Sequence, residues 1–157
     1  MGEAADNLVH GDQTPDDTVP KPLYIVIPVD IRPFTKNNIV WKIKNKWSCR
    51  DYQAKHKRAK ELARCEWIRE GQPTIHGRVL VNVHVVRSTG EELDEPNIWW
   101  GMAGFIDGLF TKGITPDDKP KYLKCGEITQ DSHPRHKRRE HIRIEIVPLD
   151  PDSKGLF

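Results

Sequence analysis

Carboxylates bracket one apolar segment of this chain. Glu91, Glu92, Asp94 and Glu95 precede it and Asp117 and Asp118 follow it, in EELDEPNIWWGMAGFIDGLFTKGITPDD, residues 91–118. Gathered into one cleft, several carboxylate oxygens make a hard-oxygen site suited to Mg²⁺, an ion that keeps part of its water shell and bridges to substrate phosphates. Such an ion activates water and offsets the charge that develops at a scissile phosphodiester. The plainer alternative is that the acidic loop and an Asp-Asp turn near Pro116 and Pro120 only keep the surface solvated.

A second cluster, HPRHKRREH (133–141), offers His133, His136 and His141 with Cys125 upstream. The short regular ligand spacing of a zinc motif is absent, so Arg135, Lys137, Arg138 and Arg139 read instead as a basic hairpin loop able to touch phosphates. His84 reads as a side chain on the less buried face of a strand rather than a metal ligand. No phosphate-binding loop, dinucleotide fingerprint, nucleophile elbow or H-E-x-x-H occurs.

The elements that must position these groups follow from periodicity. LYIVIPV (23–29) reads as a buried strand and IVWKIKNKW (39–47) as a second strand or hairpin arm. Ser48 or Asp51 caps a helix to about Glu70, with a thin apolar stripe of Tyr52, Ala59, Leu62, Ala63 and Ile68 and a stop at Gly71. Its other faces carry Arg50, Lys55, Lys57, Arg58, Lys60, Arg64 and Arg69, either a solvated surface or a phosphate-facing one. RVLVNVHVVR (78–87) alternates as a strand with one well-buried face.

Asn97 is expected to cap the next helix, from about Ile98 to Lys112 with Gly113 as its stop. Ile98, Met102, Phe105, Ile106 and Leu109 form its apolar stripe. Gly101, Gly104 and Gly108 fall beside that stripe, and helix-interior glycines at ~1 kcal/mol each relative to Ala point to another backbone packed there. Trp99 and Trp100 cannot both face one side. Closing strands are expected at 122–130 and 141–149. The order strand, strand, helix, strand, helix, strand, strand describes a single α/β (α+β) domain with a mixed sheet and two main helices.

Length and charge bound the rest. The 157 residues suit one domain, and no apolar run approaches the ~20 residues of a membrane span. Residues 1–21 read as a disordered acidic tail, 22–149 as the folded domain and 150–157 as a C-terminal tail. The first twenty residues hold five acids and no Lys or Arg, so a net charge of +2 leaves +7 on the remainder, a balance that can attract phosphate backbones. Cys49, Cys65 and Cys125, odd in number and widely spaced, suit a reducing compartment and a soluble intracellular protein.

The composite LDEPNIWWGMAGFIDGLFTKGITPDD resembles the signature region of the RusA family of Holliday-junction resolvases, phage-associated endonucleases with the pattern Asp-x-Asp-Asn, helix, Asp-Ala/Gly-Leu, Gly, Asp-Asp. Here the elements are Asp94, Asn97, Asp107-Gly108-Leu109, Gly113 and Asp117-Asp118. The resemblance covers about residues 22–149, with the central third diagnostic. It implies a homodimeric nuclease, acting in the cytoplasm of a bacterial or phage-infected cell, that binds four-way DNA and cuts it with Mg²⁺ (or Mn²⁺). The implied catalytic residues are Asp94, Glu95 and Asp118, with Asp94, Glu95, Asp117 and Asp118 on the metal. Asn97 and Asp107 would support them, and Lys112, Arg135, Lys137, Arg138 and Arg139 would contact DNA.

Two positions depart from that pattern. The family's second Asp is Pro96 here, with the acid moved to Glu95, and the family's helix Lys is Ala103. Fewer carboxylates weaken the hold on a hard cation. The alternative implied is a catalytically weak or inactive RusA-like protein that binds branched DNA.

Overall fold

The structure is a computed structural model that describes residues 21–35, 46–88 and 90–150. Four strands, β1 (Leu23–Ile27), β2 (Val79–Arg87), β3 (Leu123–Ser132) and β4 (His141–Pro148), form one sheet in the order β1-β4-β2-β3. Two helices, α1 (Lys46–Arg69) and α2 (Glu95–Phe110), complete the mixed α/β domain that the periodicity predicts. β4 runs antiparallel to both β1 and β2, and β2 runs parallel to β3. Strands β1, β2 and β3 therefore all point one way, and their C-terminal ends share one edge of the sheet.

The two parallel crossovers, β1-α1-β2 and β2-α2-β3, advance in the same direction across the sheet, so both helices lie on the same face. Ile25, Ile27, Val79, Val81, Val83, Val85, Ile142, Ile144 and Ile146 point into that layer, each fully or almost fully buried. They meet Ala59, Ala63, Met102, Phe105 and Leu109 in one core. Burying such a side chain is worth roughly 1.5–3 kcal/mol, which is why the strict alternation of β2 and β4 dictates their register.

The helices touch where the glycines of α2 leave room. A Cβ on Gly104 would lie 2.8 Å from the His56 carbonyl oxygen, and one on Gly108 would lie 2.5 Å from that of Lys60. Gly101 instead packs on the backbone of Phe34, the end of the short 3-10 turn Arg32–Phe34, and of Thr35 after it, and the Phe34 ring meets Phe105 edge-on at 5.0 Å. The offset from residues 56 and 60 to 104 and 108 means that the helices run parallel, both starting at the sheet's C-terminal edge.

The other face of the sheet is open and carries a hydrogen-bonded row across all four strands. In β3 a bulge sets Gly126 and Glu127 against Asn82. Asn82 Oδ1 accepts the Glu127 N–H at 2.8 Å while Asn82 Nδ2 donates to Glu145 at 2.9 Å. Tyr24 O–H donates to the other oxygen of Glu145 at 2.9 Å. His84 is in the neighbouring row, its Nδ1 2.6 Å from Thr129 Oγ1, and burial lowers its pKa.

Several expectations shift. Most of the strand expected at 39–47 lies outside the described residues, and Lys46 and Trp47 begin α1. Ile68, expected in the α1 stripe, is 52 % exposed, and its neighbour Trp67 is buried instead, with its indole N–H on the Pro73 carbonyl at 2.8 Å. α2 begins at Glu95 rather than Ile98. Of the tails read at 1–21 and 150–157, residues 1–20 and 151–157 lie outside the described residues, as do the side chains of Cys49 and Arg50, while Asp150 accepts the Arg78 N–H at 2.7 Å. Cys65 and Cys125 are free thiols. Among the described residues no helix is long and apolar enough to cross a membrane.

Candidate functional site

Asp94 is the N-cap of α2. Its backbone is extended and its carbonyl accepts the N–H groups of Asn97 at 3.0 Å and Ile98 at 3.1 Å, but its carboxylate makes no capping bond. The carboxylate is left exposed at the helix start with no backbone N–H to hold. Glu95 follows in the first turn, where a negative charge suits the helix dipole, and accepts weakly from Trp99 Nε1 at 3.4 Å. Pro96 fits the same turn, where the N–H it lacks has no intrahelical partner. Asn97, expected as the cap, is therefore inside the helix and buried.

The loop before Asp94 is anchored to the sheet. Arg87, 1 % exposed at the end of β2, donates from its guanidinium to the Glu91 carbonyl. Ser132 Oγ donates to the Gly90 carbonyl at 3.0 Å. Gln130 brackets Leu93, donating to its carbonyl at 2.8 Å and accepting its N–H at 2.9 Å. Sequence patterning does not mark Arg87 or Gln130, because a side chain bonding to a distant loop backbone leaves no period.

The β3-β4 hairpin lies beside that loop, with the His133 N–H on the Arg87 carbonyl at 3.1 Å. Its 3-10 turn, Pro134–His136, is tied down by Asp131, which pairs with His136 Nε2 at 2.9 Å and Arg135 at 3.6 Å. Burial pushes the Asp131 carboxyl up, but the bond from His136 and the nearby cations outweigh it and hold the group below the usual range. Lys137, Arg138 and Arg139 are exposed and make no ion pair with a described residue. Exposed cations and exposed carboxylates thus share the C-terminal edge.

The other acids gather at the far end of α2. Asp107 accepts from Thr111 Oγ1 at 2.7 Å and pairs with Lys60 at 3.1 Å and His56 at 3.6 Å. Burial pushes its carboxyl up, but the bonds from Thr111 and Lys60 together hold it below the ordinary value. Asp117 pairs with Lys119 at 2.9 Å, which keeps its carboxyl low, and also accepts the Asp118 N–H at 2.9 Å. Asp118 is raised, first by burial and then by the Asp117 and Asp107 carboxylates. Lys112 is past the helix end with φ 54°, exposed, its carbonyl bonded to Arg64 at 3.3 Å.

The expected metal ligands therefore form two groups. Asp94 and Glu95 stand at one end of a 16-residue helix about 24 Å long, and Asp117 and Asp118 stand at the other beside Asp107. The loop after β2 stays at the C-terminal edge and does not double back. Among the described residues, no group of three or more His, Cys, Asp or Glu side chains is arranged to hold a metal within one chain. In comparisons with known proteins, no family model, curated protein or solved structure matches this chain.

Proposed function

We propose that the protein is a Mg²⁺-dependent, structure-specific endonuclease of the RusA type, which acts as a homodimer on four-way DNA in the cytoplasm of a bacterial or phage-infected cell. One observation carries the reading: the anchored loop ending in the exposed carboxylates of Asp94 and Glu95 lies beside an exposed basic hairpin. A phosphodiester gripped by the hairpin cations comes within the neighbourhood of hard-oxygen donors.

The donor chemistry fits Mg²⁺ or Mn²⁺, which need only one or two carboxylates when substrate phosphates supply the rest. Asp94 with Glu95 would hold the ion at one end of α2, and Asp118 with Asp117 at the other. Bound there, the cation would supply an activated water and offset charge on the scissile phosphate. One chain keeps the two carboxylate groups a helix length apart, and a two-fold pair of copies would let Asp94 of one subunit meet Asp118 of the other. Arg135, Lys137, Arg138 and Arg139 would bind and orient the backbone by charge.

The test is nicking of a synthetic four-way junction with Mg²⁺. Wild type should cut, and Asp94→Asn and Asp118→Asn should each abolish cutting. A mixture of the two variants should regain nicking, since mixed dimers keep one intact pair of acids. Robust cutting by Asp118→Asn alone would sink the assignment. A second reading, a RusA-like protein that binds branched DNA without cutting it, draws support from Pro96, from Ala103 and from the lack of a three-ligand group in one chain. It predicts tight, salt-sensitive junction binding with no product in Mg²⁺ or Mn²⁺.

A further inference from the structure

The open face of the sheet holds a cleft of about 200 Å³ at its centre, lined by side chains from all four strands. Its floor is bonded to itself. Glu145 accepts from Tyr24 and from Asn82, each at 2.9 Å, and Asn82 accepts the Glu127 N–H at 2.8 Å. His84 joins this floor through Nδ1, 2.6 Å from Thr129 Oγ1, and burial keeps its ring uncharged at neutral pH. A floor whose polar groups already satisfy one another is rigid before any ligand arrives.

The rim is uncommitted. The Arg143 guanidinium, 5.9 Å from the centroid of the Tyr24 ring, and the Glu127 carboxylate are both exposed, and neither makes an ion pair or a side-chain hydrogen bond with a described residue. Arg143 is on β4 and Glu127 on β3, with β2 between them, so two strand spacings set their backbones roughly 9–10 Å apart. Opposite charges that line one cleft without meeting leave a gap for a flat group with an acceptor edge towards Arg143 and a donor edge towards Glu127. A guanine base is such a group. Its O6 and N7 accept the two-pronged Arg fork, and its N1–H and exocyclic amine, on the neighbouring edge, donate to a carboxylate. Adenine, cytosine and thymine each have only one N–H donor group on their base edges and make at most part of that pairing.

The cleft is smaller than the ~300–1,000 Å³ of a pocket that encloses a whole small molecule, so it takes the base and leaves sugar and phosphate outside. Cations for those phosphates are close by. The exposed Lys137, Arg138 and Arg139 stand at the edge where β4 enters this face, and Arg143 is two residues, about 7 Å, beyond His141 along that strand. We propose that the open face binds an unpaired guanine of a single strand, held between Arg143 and Glu127 with its backbone on the hairpin cations; the choice of a DNA strand rests on the nuclease reading above.

Fluorescence anisotropy of short labelled thymine tracts carrying one central guanine, adenine or cytosine tests this on the full chain, without divalent cation. Wild type should bind the guanine strand roughly 5–150-fold more tightly than the others. Arg143→Gln and Glu127→Gln, both at exposed side chains, should each bring the guanine strand down to the level of the rest and unfold near wild type. Equal affinity of wild type for all the strands overturns the proposal, as does a guanine preference that survives both substitutions. So does guanosine monophosphate that competes at the concentration of the strand, which would make the ligand a free nucleotide, or a wild-type dimer that Arg143→Gln splits, which would give this face to a second copy. Guanine-selective binding that both variants lose, without junction cutting in Mg²⁺, leaves the proposal standing and removes the nuclease reading. Junction cutting by a wild type with no base preference does the reverse.

Discussion

Gly108 lies directly against the backbone of Lys60: a methyl group on it would be 2.5 Å from the Lys60 carbonyl oxygen and 3.0 Å from the Lys60 Cα. The obstruction is main chain, so no rotamer change relieves it. α1 and α2 would have to move apart along the line where Phe105, Ala59 and Ala63 meet the sheet. Gly108→Ala should therefore destabilise by roughly 1–3 kcal/mol despite the better helix propensity of Ala. That is a fall in Tm of about 2–4 °C per kcal/mol in a chain of this length, read by thermal unfolding. Ala103→Ser, exposed on the same helix, should move Tm little.

The glycine spacing also shows what a sequence can reveal. Gly101, Gly104 and Gly108 are legible because helix-interior glycines carry a cost that close packing explains, and the structure supplies that packing. The alternation of β2 and β4 is legible because one face of the sheet is covered and the other is open. Trp67 replaces Ile68 in the core because its indole finds the Pro73 carbonyl, a contact with no period. The two acid groups look adjacent in sequence because one helix separates them, but that helix has length, and a single crossover carries them to opposite sheet edges.

Asn82 bridges the bulge of β3 to Glu145 by accepting from one and donating to the other. Asn82→Asp keeps the acceptor and turns the donor into a second carboxylate facing Glu145, which the bonds from Asn82 and Tyr24 now hold below its ordinary range. The expected cost at pH 7 is about 1–3 kcal/mol. It should shrink as pH falls into the ordinary carboxylate range near ~4, where the pair can share a proton. Denaturant unfolding at several pH values checks this, and a penalty that does not depend on pH would count against a charge-based origin.

Asp118 binds its proton more tightly in the folded chain than in the unfolded one, because burial and the Asp117 and Asp107 carboxylates disfavour its charge. Its contribution to stability is therefore fully present below the ordinary Asp value of ~3.9 and is lost as pH rises through the raised one. Asp118→Asn removes that loss. The variant should gain Tm over wild type as pH rises from about 3.9 to 7. Mg²⁺ should narrow the gap by stabilising wild type alone, if the ion sits at this carboxylate.

Arg135, Lys137, Arg138 and Arg139 occupy one exposed hairpin, and among the described residues only Arg135 of these four has a carboxylate partner, Asp131 at 3.6 Å. If these side chains neutralise DNA phosphates, each contact releases condensed counterions, and the logarithm of the binding constant falls with the logarithm of salt by ~0.9 per contact on duplex arms. Replacing Lys137, Arg138 and Arg139 with Ala should therefore weaken junction binding at low salt and reduce the salt slope by about 2–3. Arg87, Gln130 and Ser132, which hold the loop before α2, are untouched by these changes, so the fold should persist in this variant with an unfolding midpoint near that of wild type. Fluorescence anisotropy of a labelled junction across a KCl series measures the slope. A slope equal to wild type would move the DNA-binding surface away from the hairpin, to the cations of α1.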